Sequence, residues 1–96
     1  MSRYLLSPAA VADLDDIWVH IALDDMDAAE RVLDELEQAC VQVALHPGIG
    51  HVREDLAEGN IRFWTVRSWL VVYRADRNPI EIVRFWHGAQ HTLELP

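Results

Sequence analysis

Arginine and aromatic side chains alternate in two strand-like segments of the second half of the chain. Arg62 is followed two residues later by Trp64, and Arg84 is followed two residues later by Trp86. Because successive side chains of a strand point to opposite faces, each pair shares one face of a sheet. Arginine beside large aromatic rings is the composition of protein-binding surfaces, and the planar guanidinium group suits bidentate contacts with carboxylates or phosphates.

These side chains predict a groove for a macromolecular partner on the sheet face opposite the helices. Its candidate members are Arg62, Trp64, Arg67, Trp69, Tyr73, Arg84, Trp86 and His87. The alternative interpretation is structural. A charge on a solvated sheet face is ordinary, and some of the rings must form the core on which helices pack. The residues alone leave both interpretations open.

Cleavage of a phosphodiester is the other chemistry that these residues could perform. The arginines could bind phosphate, while Tyr73 and His87 could exchange protons. However, all eight basic residues are arginine and the chain has no lysine. Arginine is a poor proton carrier because its side chain stays charged. We therefore assign no catalytic residue, and ribonuclease activity is a disfavoured alternative.

The sequence gives no sign of a metal or cofactor site. His87 and His91 stand four residues apart, a spacing that can hold a metal on a helix, but no acid or third ligand accompanies them at that spacing. Cys40, the only cysteine, stands at an apolar helical position. We interpret it as a small buried hydrophobic residue and expect neither metal nor cofactor.

Length and charge limit the classes of function. The 96 residues, 51% of them hydrophobic, predict one globular domain over residues 1–96. The formal net charge of −8 lies in the first half, where ten acids stand against Arg3 and Arg31. Non-specific binding to nucleic acid needs a net basic face, so we do not expect it. No apolar run reaches the roughly 20 residues of a membrane span, and we expect a cytoplasmic protein.

Two helices are predicted after a short opening strand over residues 3–6. Ser7 is a typical helix cap and Pro8 suits the first helical position, and apolar residues at helical spacing extend this helix to about Leu23. Aspartates near residue 25 favour the start of a second helix, which Pro47 ends. On the first helix, the side away from the apolar stripe carries Asp13, Asp15 and Asp16.

A loop over residues 46–60 precedes three predicted strands, over residues 61–66, 69–74 and 80–86. Only two residues separate the first two of these strands, so they form a tight hairpin. The element order is β-α-α-β-β-β. This predicts an α+β fold in which a helical hairpin packs on a mainly antiparallel sheet.

Several segments resemble the ParE-type toxins of the RelE/ParE superfamily, in matching order and spacing. They are residues 4–10, 13–18, 46–50, 62–66, 69–74 and 80–89. The resemblance implies the toxin of a type II toxin–antitoxin system, with a cognate antitoxin that is a small DNA-binding protein. It also implies DNA gyrase as the target, inhibited by binding without enzymatic activity.

The chain departs from this family pattern in two ways. Toxins of the group are often basic, whereas this chain is acidic, and Gln90 stands where ParE-like tails commonly carry arginine. Two alternatives therefore stay open. One is a RelE-like, ribosome-dependent endonuclease of messenger RNA that works through Arg62, Arg67, Arg84 and His87. The other is a toxin-derived protein that has lost toxicity and still binds an antitoxin.

Overall fold

A computed structural model describes residues 3–57, 59–87 and 95. Its elements follow the predicted order: β1 (Tyr4–Leu6), α1 (Pro8–Ala22), α2 (Met26–Leu45), a short 3-10 turn (Pro47–Ile49), β2 (Ile61–Val66), β3 (Trp69–Arg74) and β4 (Ile80–His87). The predicted α+β fold is confirmed. The last strand is one residue longer than predicted. Among the described residues, neither helix combines the length and the apolarity that crossing a membrane requires.

Local side-chain chemistry sets where the helices begin. The Ser7 hydroxyl accepts a hydrogen bond from the Ala10 amide at 3.0 Å, and the Asp25 carboxylate accepts one from the Ala28 amide at 3.1 Å. Each bond satisfies an amide that a helix start leaves without an internal partner. These caps fix where α1 and α2 begin.

The four strands form one sheet in the order β1-β4-β3-β2. The β2–β3 and β3–β4 pairs are antiparallel, and the short β1 runs parallel to β4, with Leu6 opposite Ile82. The pairing of β3 with β4 shifts at Val83, which is an extra residue between Ile82 and Arg84. Beyond Ile82, β1 no longer covers its side of β4.

Apolar clusters cover both faces of the sheet. The larger one lies between the sheet and the helices, and includes Leu36, Cys40 and Val43 of α2. The smaller one lies on the opposite face and is partly covered by Leu56 and Ala57 of the long loop; its buried members are Ile61, Phe63, Val72, Val83 and Trp86. The face opposite the helices is therefore a second core.

The expected position of the groove on that face is wrong for several residues. Trp64, Trp69 and Tyr73 pack on the larger cluster, which faces the helices. His87 contacts Trp69 and faces α1 on that same side. Trp86 does lie on the opposite face, but it is buried there. The period of two puts residues on alternate faces, yet it does not say which face the helices cover. A role of these residues in contacting a partner stays a prediction.

Candidate protein-binding groove

A groove of about 540 Å³ runs between α1 and the adjoining ends of β3 and β4. We call it the α1 groove. Its lining combines apolar, acidic and imidazole side chains: Asp13, Asp16, Ile17, His20, Ile21, Trp69, Phe85 and His87. Trp69 and His87, two of the candidate residues from the sequence, meet on its sheet side with ring centroids 5.4 Å apart in an edge-on arrangement.

Asp13 joins α1 to the uncovered side of β4 at the rim of the groove. Its carboxylate accepts hydrogen bonds from Arg84 Nε at 2.7 Å, from Arg84 Nη2 at 2.9 Å and from the Phe85 amide at 3.0 Å. Both side chains of this ion pair are mostly buried, with 20% of Arg84 and 13% of Asp13 exposed. The contact places Arg84, a third candidate residue, at the groove.

Sequence reasoning placed Asp13 among the water-facing acids, and this is wrong. Asp13, Ile17 and Ile21 follow one another at intervals of four, so they share one face of α1. That face lies over the sheet, as the burial of Ile17 shows. The i, i+4 spacing from Ile17 was the signal that could have identified Asp13 as an inward-facing carboxylate.

Tyr73 and Arg62 hold the loop after α2 onto the sheet, away from the α1 groove. The Tyr73 hydroxyl donates to the Pro47 carbonyl at 2.6 Å and accepts from the Gly50 amide at 2.9 Å. Arg62 Nη1 donates to the Gly50 carbonyl at 2.8 Å. Burial raises the pKa of Tyr73 above its ordinary value, so the hydroxyl keeps its proton. This arrangement, the Tyr73 cluster, is structural.

The other side chains of the predicted groove also lie apart. Trp64 stacks on His51 of the same loop, with ring centroids 6.4 Å apart. Arg67, at the tip of the β2–β3 hairpin, forms an ion pair with Glu35 of α2. The guanidinium group, mainly through its hydrogen bond, lowers the pKa of Glu35. Of the eight predicted residues, Trp69, Arg84 and His87 come together at the α1 groove, whereas Arg62, Trp64 and Tyr73 contact the loop after α2.

Nucleophilic and metal chemistry find little support in these geometries. Cys40 is 1% exposed, and burial raises the pKa of its thiol to about 12, so it carries no thiolate near neutral pH. The described residues contain no cluster of three or more His, Cys, Asp or Glu side chains suited to a metal ion. Two residues lie outside the described part of the chain. They are His91, the partner of His87 in the four-residue spacing, and Gln90, which stands where ParE-like tails commonly carry arginine.

Most arginines contact acceptors of the same chain, several of them at the surface, whereas many carboxylates have no cation beside them among the described residues. Arg53 pairs with Asp55, and Arg74 and Arg77 both pair with Glu81, in addition to the contacts of Arg62, Arg67 and Arg84. Exposed acids of the helical hairpin have no such cation in a described ion pair: Asp15, Asp16, Asp24, Asp27, Glu30, Asp34 and Glu37. The surface field is therefore most negative around the helices.

Comparison with known proteins agrees with this architecture. A family model described as the ParE toxin of the type II toxin–antitoxin system parDE matches residues 4–92. Toxin ParE1 of Mycobacterium tuberculosis is 38% identical over 89 residues, which are 90% of this chain and 89% of that protein. Toxin ParE1 of Caulobacter vibrioides is 37% identical over 94 residues, covering 95% and 94%.

A solved structure shares the fold. It is described as a chromosomal ParDE TA system from P. aeruginosa, and it superposes with a TM-score of 0.72 at 21% identity, over 91% of this chain and 96% of that one. The likeness of structure shows the fold, and the family match with its relatives shows the kind of protein. The chain is a member of the ParE family of toxins of type II toxin–antitoxin systems.

Proposed function

We propose that this toxin inhibits DNA gyrase by binding to it, without cutting a substrate itself, and that a cognate antitoxin neutralises it by occupying the α1 groove. The observation that carries the non-enzymatic part is the engagement of the arginines. Arg62, Arg67 and Arg84 each contact an acceptor of the same chain: the Gly50 carbonyl of the loop, Glu35 of α2 and Asp13 of α1.

A ribonuclease would need these guanidinium groups, together with a proton donor, around one phosphate. Here Arg62 and Arg84 contact different parts of the fold. Tyr73 is fully buried, and its hydroxyl group is hydrogen-bonded to the loop. Withdrawing Arg84 from Asp13 would leave a mostly buried carboxylate without its cation, at a cost of about 2–3 kcal/mol. These contacts favour a binding module over a nuclease.

The α1 groove is the surface we assign to the antitoxin. Its floor is formed by Ile17 and Phe85, and its sheet side by Trp69 and His87. Concave apolar surfaces with an aromatic wall and a few polar groups at the edge are typical of sites that bind a partner tightly. A segment of antitoxin lying in the groove would cover Trp69, His87 and the rim formed by Asp13 and Arg84.

The growth phenotype and the target are tested in two steps. Expression of the chain alone should arrest bacterial growth, and co-expression of a small neighbouring gene that encodes the antitoxin should restore it. Purified toxin should then be incubated with gyrase and plasmid, and in parallel with translating ribosomes. We expect trapped, cleaved plasmid in the first reaction and intact message in the second.

Cleaved message together with normal supercoiling would overturn the proposal in favour of a ribosome-dependent nuclease. Normal growth in the absence of any antitoxin would instead indicate a chain that has lost toxicity. Arg67→Ala is a useful control variant because Arg67 is exposed at a hairpin tip and its loss leaves the core intact. A nuclease that used Arg67 would lose activity, whereas gyrase trapping should persist in this variant.

A further inference from the structure

The α1 groove has an apolar floor that can receive the side chains of another polypeptide. Ile17 and Phe85 lie at its base, and Ile21 and Trp69 are half-buried beside them. On α1 the lining runs from Asp13 to Ile21, over about two helical turns. This length suits an elongated segment better than a compact small molecule.

The charge around this floor is negative. Asp13 is neutralised by Arg84, but Asp16 has no hydrogen bond or ion pair among the described residues, and its carboxylate is exposed at the groove. The hairpin that carries the groove holds ten acids against Arg31 over residues 13–37. An anionic segment entering here would be repelled, and a cationic head beside Asp16 would be attracted.

We infer that the α1 groove binds a partner segment that carries apolar side chains interleaved with lysine or arginine. The apolar side chains lie on Ile17, Ile21 and Phe85, and a cationic head contacts the carboxylate of Asp16. The inference rests on the proposed function, in which the antitoxin is the partner, and it adds the chemistry of the contacting segment. Charge complementarity then gives the pair its specificity and rate of association.

Two designed peptides test the inference on the full chain. One is an amphipathic helix of leucine and lysine of about 18 residues, long enough to span α1, and the other replaces every lysine with glutamate. Affinity is measured by fluorescence anisotropy of the labelled peptide. We expect the lysine peptide to bind the wild-type chain and the glutamate peptide to bind at least tenfold more weakly.

Two matched variants distinguish binding of the peptide in the groove from attraction to the overall negative charge of the protein. Asp16→Asn removes the carboxylate at the groove, while Asp15→Asn removes an exposed carboxylate from the adjacent position, which does not line it. Both change the net charge equally. We expect Asp16→Asn to weaken the lysine peptide about fivefold, the upper range for one exposed ion pair, and Asp15→Asn to change its affinity less than twofold.

Equal weakening by the two variants, or equal affinity for the two peptides, would overturn the inference. The assay needs neither gyrase nor the antitoxin, so its outcome is independent of the toxicity test. A chain that fails to arrest growth but binds the lysine peptide through Asp16 would contradict the proposed function and retain the groove chemistry. A chain that arrests growth but shows no preference for the lysine peptide would support the proposed function and contradict the groove chemistry.

Discussion

The Tyr73 hydroxyl group fixes the loop after α2 with two hydrogen bonds of opposite direction. It donates to the Pro47 carbonyl and accepts from the Gly50 amide, while its ring lies fully buried in the core. The loop approaches closely at this point. A Cβ atom added to Gly50 would lie 2.8 Å from Tyr73 Cε1, nearer than real contacts allow. Glycine is therefore required there by space.

Tyr73→Phe should destabilise the protein without changing its fold. The ring still fills the core, but the Gly50 amide and the Pro47 carbonyl lose their partner, which costs about 1–3 kcal/mol. Thermal unfolding should show a Tm lower by about 4–8 °C for each kcal/mol lost. Tyr4→Phe is the matched control, because the half-buried Tyr4 hydroxyl makes no hydrogen bond among the described residues. Equal changes in the two variants would contradict the role assigned to Tyr73.

At the level of the sheet, β1 ends before β4 does, and Asp13 of α1 contacts the part of β4 that β1 leaves without a neighbouring strand. β1 pairs with β4 only as far as Ile82, and the Ser7 amide and hydroxyl then bind the Ile82 and Val83 carbonyls at 2.9 and 2.8 Å. Further along the same side of β4, the Asp13 carboxylate accepts a hydrogen bond from the Phe85 amide. An uncovered strand edge invites pairing with other chains, so α1 also protects the sheet from association through this side.

Asp13→Ala should lower the free energy of unfolding by about 2–4 kcal/mol, because it leaves Arg84 and the Phe85 amide without their carboxylate. Asp13→Asn should lose less, since its side-chain oxygen can still accept from the amide. Urea titration measures both changes. Asp15→Ala removes an exposed carboxylate of the same helix and should shift stability by less than about 0.5 kcal/mol. A loss in Asp15→Ala as large as that in Asp13→Ala would contradict the role assigned to the contacts of Asp13 with Arg84 and the Phe85 amide.

The elements were predictable because their signals are local, whereas the site depended on non-local pairing. Ser7 with Pro8 marked the start of α1, and the two-residue link at Arg67 marked the β2–β3 hairpin. Nothing local shows that β1 pairs with β4 and stops at Ile82. That pairing decides which sheet edge is exposed, and therefore why Asp13 turns inward and where the groove lies. Which face of the sheet the helices cover also depends on non-local packing. Trp64, Trp69 and Tyr73 were therefore predicted on the wrong face.

Over the whole molecule, charge is divided between two layers. The helical layer carries the excess of carboxylates, and the sheet layer carries most of the arginines, which bind carboxylates or carbonyls of the same chain. Over the described residues, this arrangement leaves no continuous basic surface for a phosphate backbone. We therefore expect selective contact with a protein target and no non-specific contact with nucleic acid.

The wild-type chain should therefore leave the mobility of a DNA duplex unchanged even at about 20 mM salt, where phosphate contacts are strongest. Replacing four exposed acids of α2 by lysine (Asp27, Glu30, Asp34 and Glu37) raises the formal net charge from −8 to zero and creates a basic face. This variant should bind DNA weakly at about 20 mM salt and release it at about 200 mM, because the entropy gained when binding releases counterions from the DNA falls as the salt concentration rises. A gel shift by the wild-type chain that weakens with salt would show a phosphate-binding surface, and would contradict the assignment of the arginines to internal contacts.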